Sequence, residues 1–183
     1  MPCGIYGKDY VMETKNKNNT LTIRQLMESD LENVLELNQE LVHFLSDLDM
    51  KKLIHLCDES AVQLIVEENG KFAGFLLAFR EGADYDSINY TWFEDNYPQF
   101  LYVDRVVISP AAQSGGMGSI LYDEIFRIAR EMGVPVVTAE YNVIPANEIS
   151  EKFHARYGFE ELARQQTADG KKIVALVASK VTD

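Results

Sequence analysis

The chain has 183 residues, 46% of them hydrophobic and 25% charged, which is typical of a globular domain that buries a full core. Its formal net charge of −12 argues against a general nucleic-acid binder, because neutralising phosphates requires a basic surface. The two cysteines, Cys3 and Cys57, are too few for a disulfide framework, so we expect a reducing, cytoplasmic environment.

Residues 1–19 are polar and rich in lysine and asparagine, and their composition predicts a flexible N-terminal tail. The sequence after them contains no internal repeat and no long linker, so residues 20–183 are expected to form a single domain. No apolar run approaches the roughly 20 residues that span a bilayer, and no membrane partner is expected.

Hydrophobic periodicity and turn residues divide the rest of the chain into strands and helices. Apolar runs bounded by turn residues predict about seven strands, near residues 21–26, 61–67, 71–79, 100–108, 136–142, 160–165 and 172–178. Helical spacing predicts about four helices, one opened by the capping box at 29–32 and others near 49–57, 119–132 and 147–157. This order predicts a mixed sheet with helices packed on its faces.

A glycine-rich turn separates the strand at 100–108 from the helix at 119–132. A strand, a glycine turn and a helix start together form an anion site, because the first N–H groups of the helix have no intrahelical partner. Gly115, Gly116 and Gly118 lack a Cβ, so a phosphate can approach the backbone closely. No Lys-Ser/Thr pair follows the last glycine, which excludes a P-loop. A tight turn that binds nothing is the alternative interpretation.

The pattern Gln113-x-x-Gly116-x-Gly118 resembles the pyrophosphate loop of the GNAT superfamily of N-acetyltransferases, which bind acetyl-CoA. The segment 147–160 is similar to the family's second cofactor motif, an asparagine-capped helix that ends in Gly-Phe. With Tyr-Val-Asp-Arg-Val-Val before the loop, these motifs resemble a bacterial branch of predicted acetyltransferases of unassigned substrate. The resemblance covers about residues 20–180 and implies an α/β (mixed α+β) fold with a mostly antiparallel central sheet.

The resemblance also implies which residues bind acetyl-CoA, the expected acyl donor. The N–H groups of 114–119 would bind the pyrophosphate, the backbone of 106–108 the pantetheine arm, and the helix at 147–157 the other side of the cofactor. The expected cofactor-binding residues are Val106, Val107, Ile108, Gln113, Ser114, Gly115, Gly116, Met117, Gly118, Ser119, Asn147, Ser150 and His154.

Acetyl transfer requires a group that protonates the leaving thiolate, and His154 is the candidate. An advance of about 100° per residue gives this helix a polar strip of Asn147, Ser150 and His154 and a separate apolar strip of Ile149, Phe153 and Tyr157. His154 is therefore expected to turn away from the core. The family usually has a tyrosine in this position, and a histidine with a pKa near 6.5 can do the same work. The alternatives are a cofactor hydrogen bond with water as the acid, no role at all, or Tyr157 as the acid.

The acceptor amine must lose a proton, since a primary amine with a pKa near 10 is only about 0.1% neutral at pH 7. Asp104 lies on the strand that enters the loop, on the same pleat side as Val106, and is the first candidate base. Glu140 on the next strand is the second. Either carboxylate could instead be structural, Asp104 by pairing with Arg105 or Arg80.

Residues 80–97 are predicted to be an irregular, acidic and aromatic loop that forms the acceptor pocket. Its acceptor-binding candidates are Tyr85, Tyr90 and Trp92, because carboxylates beside aromatic rings suit a cationic amine. Aromatic side chains that cover the core are the alternative.

The sequence thus predicts an acetyl-CoA-dependent N-acetyltransferase that moves the acetyl group directly to an amine, expected on a small molecule, in a ternary complex. The alternative is a non-catalytic acyl-CoA-binding sensor or interaction module, because fold alone does not fix function. His43 and His55 lack metal-ligand spacing, so no metal is expected. A homodimer is an expectation from the family resemblance alone.

Overall fold

The protein is described by a computed structural model that covers residues 10–16, 19–43 and 45–182, with the side chains of 15, 16 and 113–115 outside the description. Eight strands lie in this part of the chain: β1 (Val11–Asn16), β2 (Asn19–Gln25), β3 (Val62–Glu68), β4 (Lys71–Arg80), β5 (Leu101–Ile108), β6 (Val136–Ile144), β7 (Glu160–Gln166) and β8 (Ile173–Lys180). The five α-helices are α1 (Leu31–Glu40), α2 (Met50–Glu59), α3 (Ile88–Asn96), α4 (Met117–Glu131) and α5 (Glu148–Arg156). Two short 3-10 helices occupy Glu28–Asp30 and Pro110–Gly115.

The chain divides into two compact units, and β4, β5 and α4 contribute residues to both. The first unit holds the described residues up to Ala78 together with Arg105–Ile125. In it β1, β2, β3 and β4 pair antiparallel in that order, with Ile23 opposite Val66 and Leu64 opposite Leu76. Its core consists of aliphatic and aromatic side chains, including Ile23, Val34, Leu53, Ile65, Phe75 and Leu121.

Strand β1 lies inside the segment that the sequence predicted to be a flexible tail. It pairs with β2 through a continuous antiparallel register from Val11–Arg24 to Asn16–Asn19. Because a strand at a sheet edge gains backbone hydrogen bonds whatever its side chains are, a polar composition did not reveal it. Residues 1–9 of the predicted tail lie outside the described part of the chain.

The second unit comprises Phe79–Asp104 and the chain from Phe126 onward. Here β5 pairs parallel with β6, β6 pairs antiparallel with β8, and β8 pairs antiparallel with β7. The core is aromatic around α3, with the rings of Tyr90, Phe93, Phe100 and Tyr102 all fully buried. Their centroids lie 5.6–6.3 Å apart, in the range of favourable aromatic pairs.

The segment 80–97 is not an irregular loop throughout, because α3 occupies nine of its residues. The Ser87 side chain caps this helix by accepting a hydrogen bond from the Tyr90 N–H. Tyr90 and Phe93, three residues apart, are both buried on one face. The acidic residues on either side of them, such as Asp86 and Glu94, concealed this periodicity in the sequence.

The predicted α/β class with a mixed, mostly antiparallel set of strands is confirmed, with eight strands and five helices in place of about seven and four. The single domain over residues 20–183 stays a prediction. Within the described part of the chain, each helix is too short or too polar to cross a membrane.

Candidate functional site

The glycine turn before α4 has an open backbone. Gly116 has a φ of 73°, in the left-handed region, and a Cβ built on it would meet no atom within 4 Å. Helix α4 begins at once with Met117, and the Ser119 N–H already donates to the Gly116 carbonyl at 3.1 Å. The amides of Met117 and Gly118 therefore stand at the positive end of a helix of 15 residues, where N–H groups have no intrahelical partner.

This turn fits a diphosphate, because the N–H groups at a helix start and the helix dipole attract anions without needing a cationic side chain. The predicted diphosphate-binding amides were those of residues 114–119. Ser119 is not available in the same way, because its N–H donates within the first turn of α4. The side chains of Gln113 and Ser114 lie outside the description, and the contacts predicted for Gln113, Ser114 and Gly115 stay predictions.

Successive residues of β5, the strand before the turn, direct their backbone N–H and C=O groups to opposite edges of the strand. A Cβ on Gly74 of β4 would lie 2.3 Å from the carbonyl oxygen of Val107, and the Ser109 N–H donates to the Ala73 carbonyl at 2.8 Å. The backbone of Val107 thus lies against β4. Because backbone groups alternate along a strand, those of Val106 and Ile108 face the opposite edge, where the resemblance places the pantetheine arm.

In the second unit, two carboxylates follow the last paired residues of β5 and β6. The parallel register runs from Leu101–Val137 to Val103–Ala139, and the next residues on the two strands are Asp104 and Glu140. Both side chains share the pleat side of Tyr102, which lies two residues before Asp104. The two predicted bases are therefore neighbours at the end of the β5–β6 ladder.

Polar side chains from the segment around α3 reach both carboxylates. The Tyr85 hydroxyl donates to Oδ1 of Asp104 at 2.6 Å, and the Asn89 amide donates to Oε1 of Glu140 at 3.2 Å. Tyr102 is fully buried beside them. Burial, followed by the negative charges of Glu140 and Asp104, raises the pKa of Tyr102 well above its ordinary value, so its hydroxyl stays protonated.

The arginines proposed as structural partners of Asp104 have other acceptors. Arg80 forms an ion pair with its neighbour Glu81. In the first unit, Arg105 is buried and donates to Oδ1 of Asn38 at 2.6 Å and to the Ser46 carbonyl at 3.2 Å. Asp104 accepts a hydrogen bond from the hydroxyl of Tyr85.

The three acceptor-binding candidates have different environments. Tyr85 is half-buried, stacks on Phe79 with centroids 4.7 Å apart, and contacts Asp104. Tyr90 is fully buried, and its hydroxyl donates to the Arg80 carbonyl at 2.8 Å, which corresponds to the alternative of a core role. Trp92 is half-buried and packs edge-on against Phe93. Of the three, the structure brings Tyr85 to the carboxylates.

The expected orientation of His154 is wrong, because this side chain is only 6% exposed. Its ring lies 5.6 Å from that of Tyr141 and 5.1 Å from that of Phe159. Burial is tolerated because Nδ1 lies 2.8 Å from the Ser150 carbonyl oxygen, which satisfies the polar ring. The polar strip of α5 thus exists, but its last member faces the core.

The protonation of His154 follows from this contact. Burial lowers the pKa of His154 below 6.5 and outweighs the Ser150 hydrogen bond, which raises it. A carbonyl oxygen only accepts, so Nδ1 carries the single proton of the neutral ring and Nε2 carries a lone pair. A ring in this state accepts a proton at Nε2, which argues against the predicted role as the acid.

The other residues of α5 follow the predicted strips in part. The Asn147 side chain accepts from the Ser150 N–H at 3.1 Å and so caps the helix. On the apolar strip, the rings of Phe153 and Tyr157 pack 5.2 Å apart. Ile149, expected on the same strip, is 85% exposed.

The sequence analysis did not identify two polar residues that lie near the carboxylates, Asn89 and Gln165. Asn89 lies in the first turn of α3, and Gln165 of β7 donates to its Oδ1 at 3.1 Å. Gln165 is 76 positions from Asn89 in the chain, so only the tertiary fold brings the two amides together.

A model of the acetyltransferase (GNAT) family matches residues 23–159. The chain belongs to this family. Membership confirms the predicted acetyltransferase family and acetyl-CoA as its acyl donor. A comparison with curated proteins gives no match.

Solved structures of GNAT-like proteins share the fold at low sequence identity. Ard1 from Thermoplasma volcanium superposes with a TM-score of 0.72 at 17% identity, over 89% of this chain and 99% of its own. The Salmonella typhimurium protein yncA, determined with its cofactor acetyl-CoA, gives 0.68 at 20% identity, over 89% and 95%. The Escherichia coli ribosomal-protein-S18-alanine N-acetyltransferase gives 0.66 at 16% identity, over 89% and 95%. At these identities the likeness shows the GNAT fold alone.

Proposed function

We propose that this GNAT-family protein transfers an acetyl group from acetyl-CoA directly to the amine of a small molecule, within a ternary complex. The observation that carries the proposal is the pair of carboxylates, Asp104 and Glu140, at the end of the β5–β6 ladder. Hydrogen bonds from Tyr85 and Asn89 hold these carboxylates in place.

The open turn at Gly116 supports the choice of donor. The amides of Met117 and Gly118 would bind the diphosphate. The edge of β5 that faces away from β4, at Val106 and Ile108, would hold the pantetheine arm. Asn147 and Ser150 would contact the cofactor from α5. Acetyl-CoA supplies an activated acetyl thioester when it is bound.

The carboxylates support a cationic acceptor. An ammonium group is attracted to two adjacent carboxylates and to the half-buried ring of Tyr85, and the formal net charge of −12 adds long-range attraction. One carboxylate then takes a proton from the ammonium nitrogen, which leaves a lone pair on that nitrogen for attack. This step requires no cysteine, in keeping with direct transfer.

If the His154 ring keeps its hydrogen bond to the Ser150 carbonyl, another residue must donate the proton to the leaving thiolate. Tyr157, half-buried between the rings of Phe126 and Phe153, then takes this place as the candidate acid. A phenol is also the group that the family usually supplies.

The test is incubation of the protein with acetyl-CoA and a panel of amines, with release of free thiol and the mass of the product as readouts. The panel should contain diamines, amino acids and short peptides, because the Escherichia coli neighbour is named for a protein substrate. We expect turnover with a cationic small amine, and loss of at least 100-fold in the Asp104→Asn, Glu140→Gln double variant. Wild-type turnover in that double variant would exclude both carboxylates as bases.

The second candidate function is a non-catalytic acyl-CoA-binding module. It is favoured by one observation, a buried and neutral histidine at the position where the family usually has a tyrosine acid. Calorimetry separates the two functions: binding of acetyl-CoA without thiol release on any acceptor favours the module.

A further inference from the structure

A chain of side-chain amides ends on Glu140. Gln165 of β7 donates from Nε2 to Oδ1 of Asn89 at 3.1 Å, and Asn89 of α3 donates from Nδ2 to Oε1 of Glu140 at 3.2 Å. We propose that Gln165 and Asn89 are positioning residues for Glu140, and that Glu140 takes the proton of the acceptor amine. This inference rests on the function proposed above.

The direction of the chain is fixed by its chemistry. A carboxylate only accepts hydrogen bonds, so Asn89 must turn its nitrogen toward Glu140 and its oxygen away. Gln165 donates to that oxygen and holds the amide in this orientation. With Asn89 reversed, an amide oxygen would face the carboxylate and an amide nitrogen would face the donor of Gln165, and both hydrogen bonds would be lost.

The strand register explains why residues so distant in sequence meet. Glu140 of β6 lies opposite Leu176 of β8, which lies opposite Ala163 of β7. Gln165 is two residues beyond Ala163, so its side chain stands on the same face as that of Glu140. Asn89 is buried over this face and bridges the two positions.

The two carboxylates therefore differ in what holds them. Glu140 accepts a hydrogen bond from the side-chain amide of Asn89, which Gln165 holds in place. Asn89 lies in the first turn of α3, near the positive end of the helix dipole. Asp104 accepts a hydrogen bond from the hydroxyl of Tyr85 at 2.6 Å. An oxygen held in a fixed direction is the better acceptor for a proton that must leave at a defined position.

The proton transfer itself is simple. An N–H bond of the acceptor ammonium breaks, its electron pair stays on nitrogen, and an O–H bond forms on the Glu140 carboxylate. Oε1 keeps its hydrogen bond from Asn89, and positioning by Asn89 and Gln165 restricts the orientation of the carboxylate that receives the proton.

The first test uses the free protein, without cofactor or acceptor. The protonation of Glu140 is followed by NMR of its carboxyl carbon, with the signal assigned through Glu140→Gln. Loss of a donor weakens the charged form, so Asn89→Ala should raise the titration midpoint by about one pH unit. Gln165→Met, which nearly preserves shape, should raise it by less.

The control is Gln166→Met, on the neighbouring residue of β7. Gln166 is exposed and donates to the Gly170 carbonyl, so its variant should titrate as wild type. Equal midpoints in wild type, Asn89→Ala and Gln165→Met overturn the proposal. Gln165→Met keeps the test valid should Asn89→Ala fail to fold.

The second test uses turnover of the amine identified by thiol release. In Gln165→Met the acid limb of the kcat/KM profile should move to higher pH, with a lower kcat and little change in the KM for acetyl-CoA. The exchange Asn89→Asp with Glu140→Gln retains an amide–carboxylate hydrogen bond but moves the charge. It should remain at least 100-fold impaired, and recovery of activity would show that the pair is only structural.

The two proposals fail in different ways. A wild-type protein that releases no thiol with any amine ends the proposed transfer, whatever the titrations show. Unchanged midpoints and an unchanged acid limb in Gln165→Met end the positioning role, even in an active enzyme.

Discussion

The hydroxyl of Tyr85 and the carboxylate of Asp104 are joined by a 2.6 Å hydrogen bond across 19 positions of the chain. The Tyr85 ring is fixed at the same time by stacking on Phe79. One side chain thus connects the segment that precedes α3 to the middle of β5. In consequence, the acidic aromatic segment contacts the carboxylate pair through Tyr85 and Asn89.

Tyr85→Phe tests this connection, because it removes the hydroxyl and keeps the ring. We expect kcat/KM to fall about 10-fold to 100-fold, since a hydrogen bond to a charged group is worth about 1.5–3 kcal/mol and each 1.4 kcal/mol is tenfold in rate. Steady-state kinetics with the amine identified above measure it. Tyr97→Phe, on a half-buried tyrosine that packs on Phe93, is the matched control and should remain within twofold of wild type. Equal loss in both variants would assign the effect to general packing.

The burial of His154 predicts a dependence of stability on pH. Its pKa is lowered in the folded protein and near 6.5 in the unfolded chain, so between these two values the unfolded state binds more protons. The free energy of unfolding should therefore fall as pH drops below about 6.5, and this contribution should level off below the folded pKa. Above about pH 6.5 the contribution of His154 is constant.

Thermal unfolding of wild type and His154→Phe between pH 5 and 8 measures this dependence. The phenylalanine fits among the rings of Tyr141 and Phe159 and cannot be protonated, so its curve should be flatter below about pH 6.5. His55→Gln, on an exposed residue of α2, is the comparison for removal of a histidine outside this cluster of rings. Identical slopes in wild type and His154→Phe would contradict a buried neutral ring.

Local sequence signals predicted much of the fold and one part of the site. Gly116 adopts the left-handed conformation that a glycine turn allows, and Asn147 caps its helix through Ser150, as the motifs indicated. Such features depend on residues within a few positions of each other, which is the range over which turn and cap chemistry operates.

The remaining features depend on which face of an element meets the core. Helical periodicity placed Ser150 and His154 on one strip correctly, yet it could not show that the strip ends against Tyr141 and Phe159. The bond between Asn89 and Glu140 spans 51 positions, and no local pattern records a pairing at that distance. For this reason the sequence alone could not show which side chains contact the two carboxylates.

Replacement of the two candidate acids distinguishes their roles in turnover. Tyr157→Phe keeps the ring between Phe126 and Phe153 and removes the hydroxyl, and we expect kcat to fall about tenfold to 100-fold. His154→Phe should lower kcat by less than threefold at pH 8, because the neutral ring donates no proton from Nε2. Calorimetry with acetyl-CoA provides the control that both variants still bind the cofactor. A larger fall of kcat in His154→Phe than in Tyr157→Phe would instead support His154 as the acid.

The close approach of β4 and β5 at Gly74 predicts a large cost for the smallest possible side chain. In Gly74→Ala the new Cβ would meet the Val107 carbonyl oxygen at 2.3 Å and the Ile108 side chain at 2.8 Å, so the two strands must move apart. Overpacking of this kind costs about 1–3 kcal/mol or more, and here it meets backbone, which yields less than a side chain.

Urea unfolding measures the effect, and Gly82→Ala is the matched control. Gly82 has a φ of 83° and no atom within 4 Å of a built Cβ, so its variant carries backbone strain of about 1 kcal/mol without a clash. Gly74→Ala should lose more stability than Gly82→Ala. Gly74→Ala should also weaken acetyl-CoA binding, because the edge of β5 that faces away from β4, at Val106 and Ile108, moves with the strand. Gly82→Ala should bind acetyl-CoA as wild type does. A Gly74→Ala protein as stable as Gly82→Ala would mean that β4 and β5 separate here without cost, and the fixed edge proposed for the pantetheine arm would then lose its support.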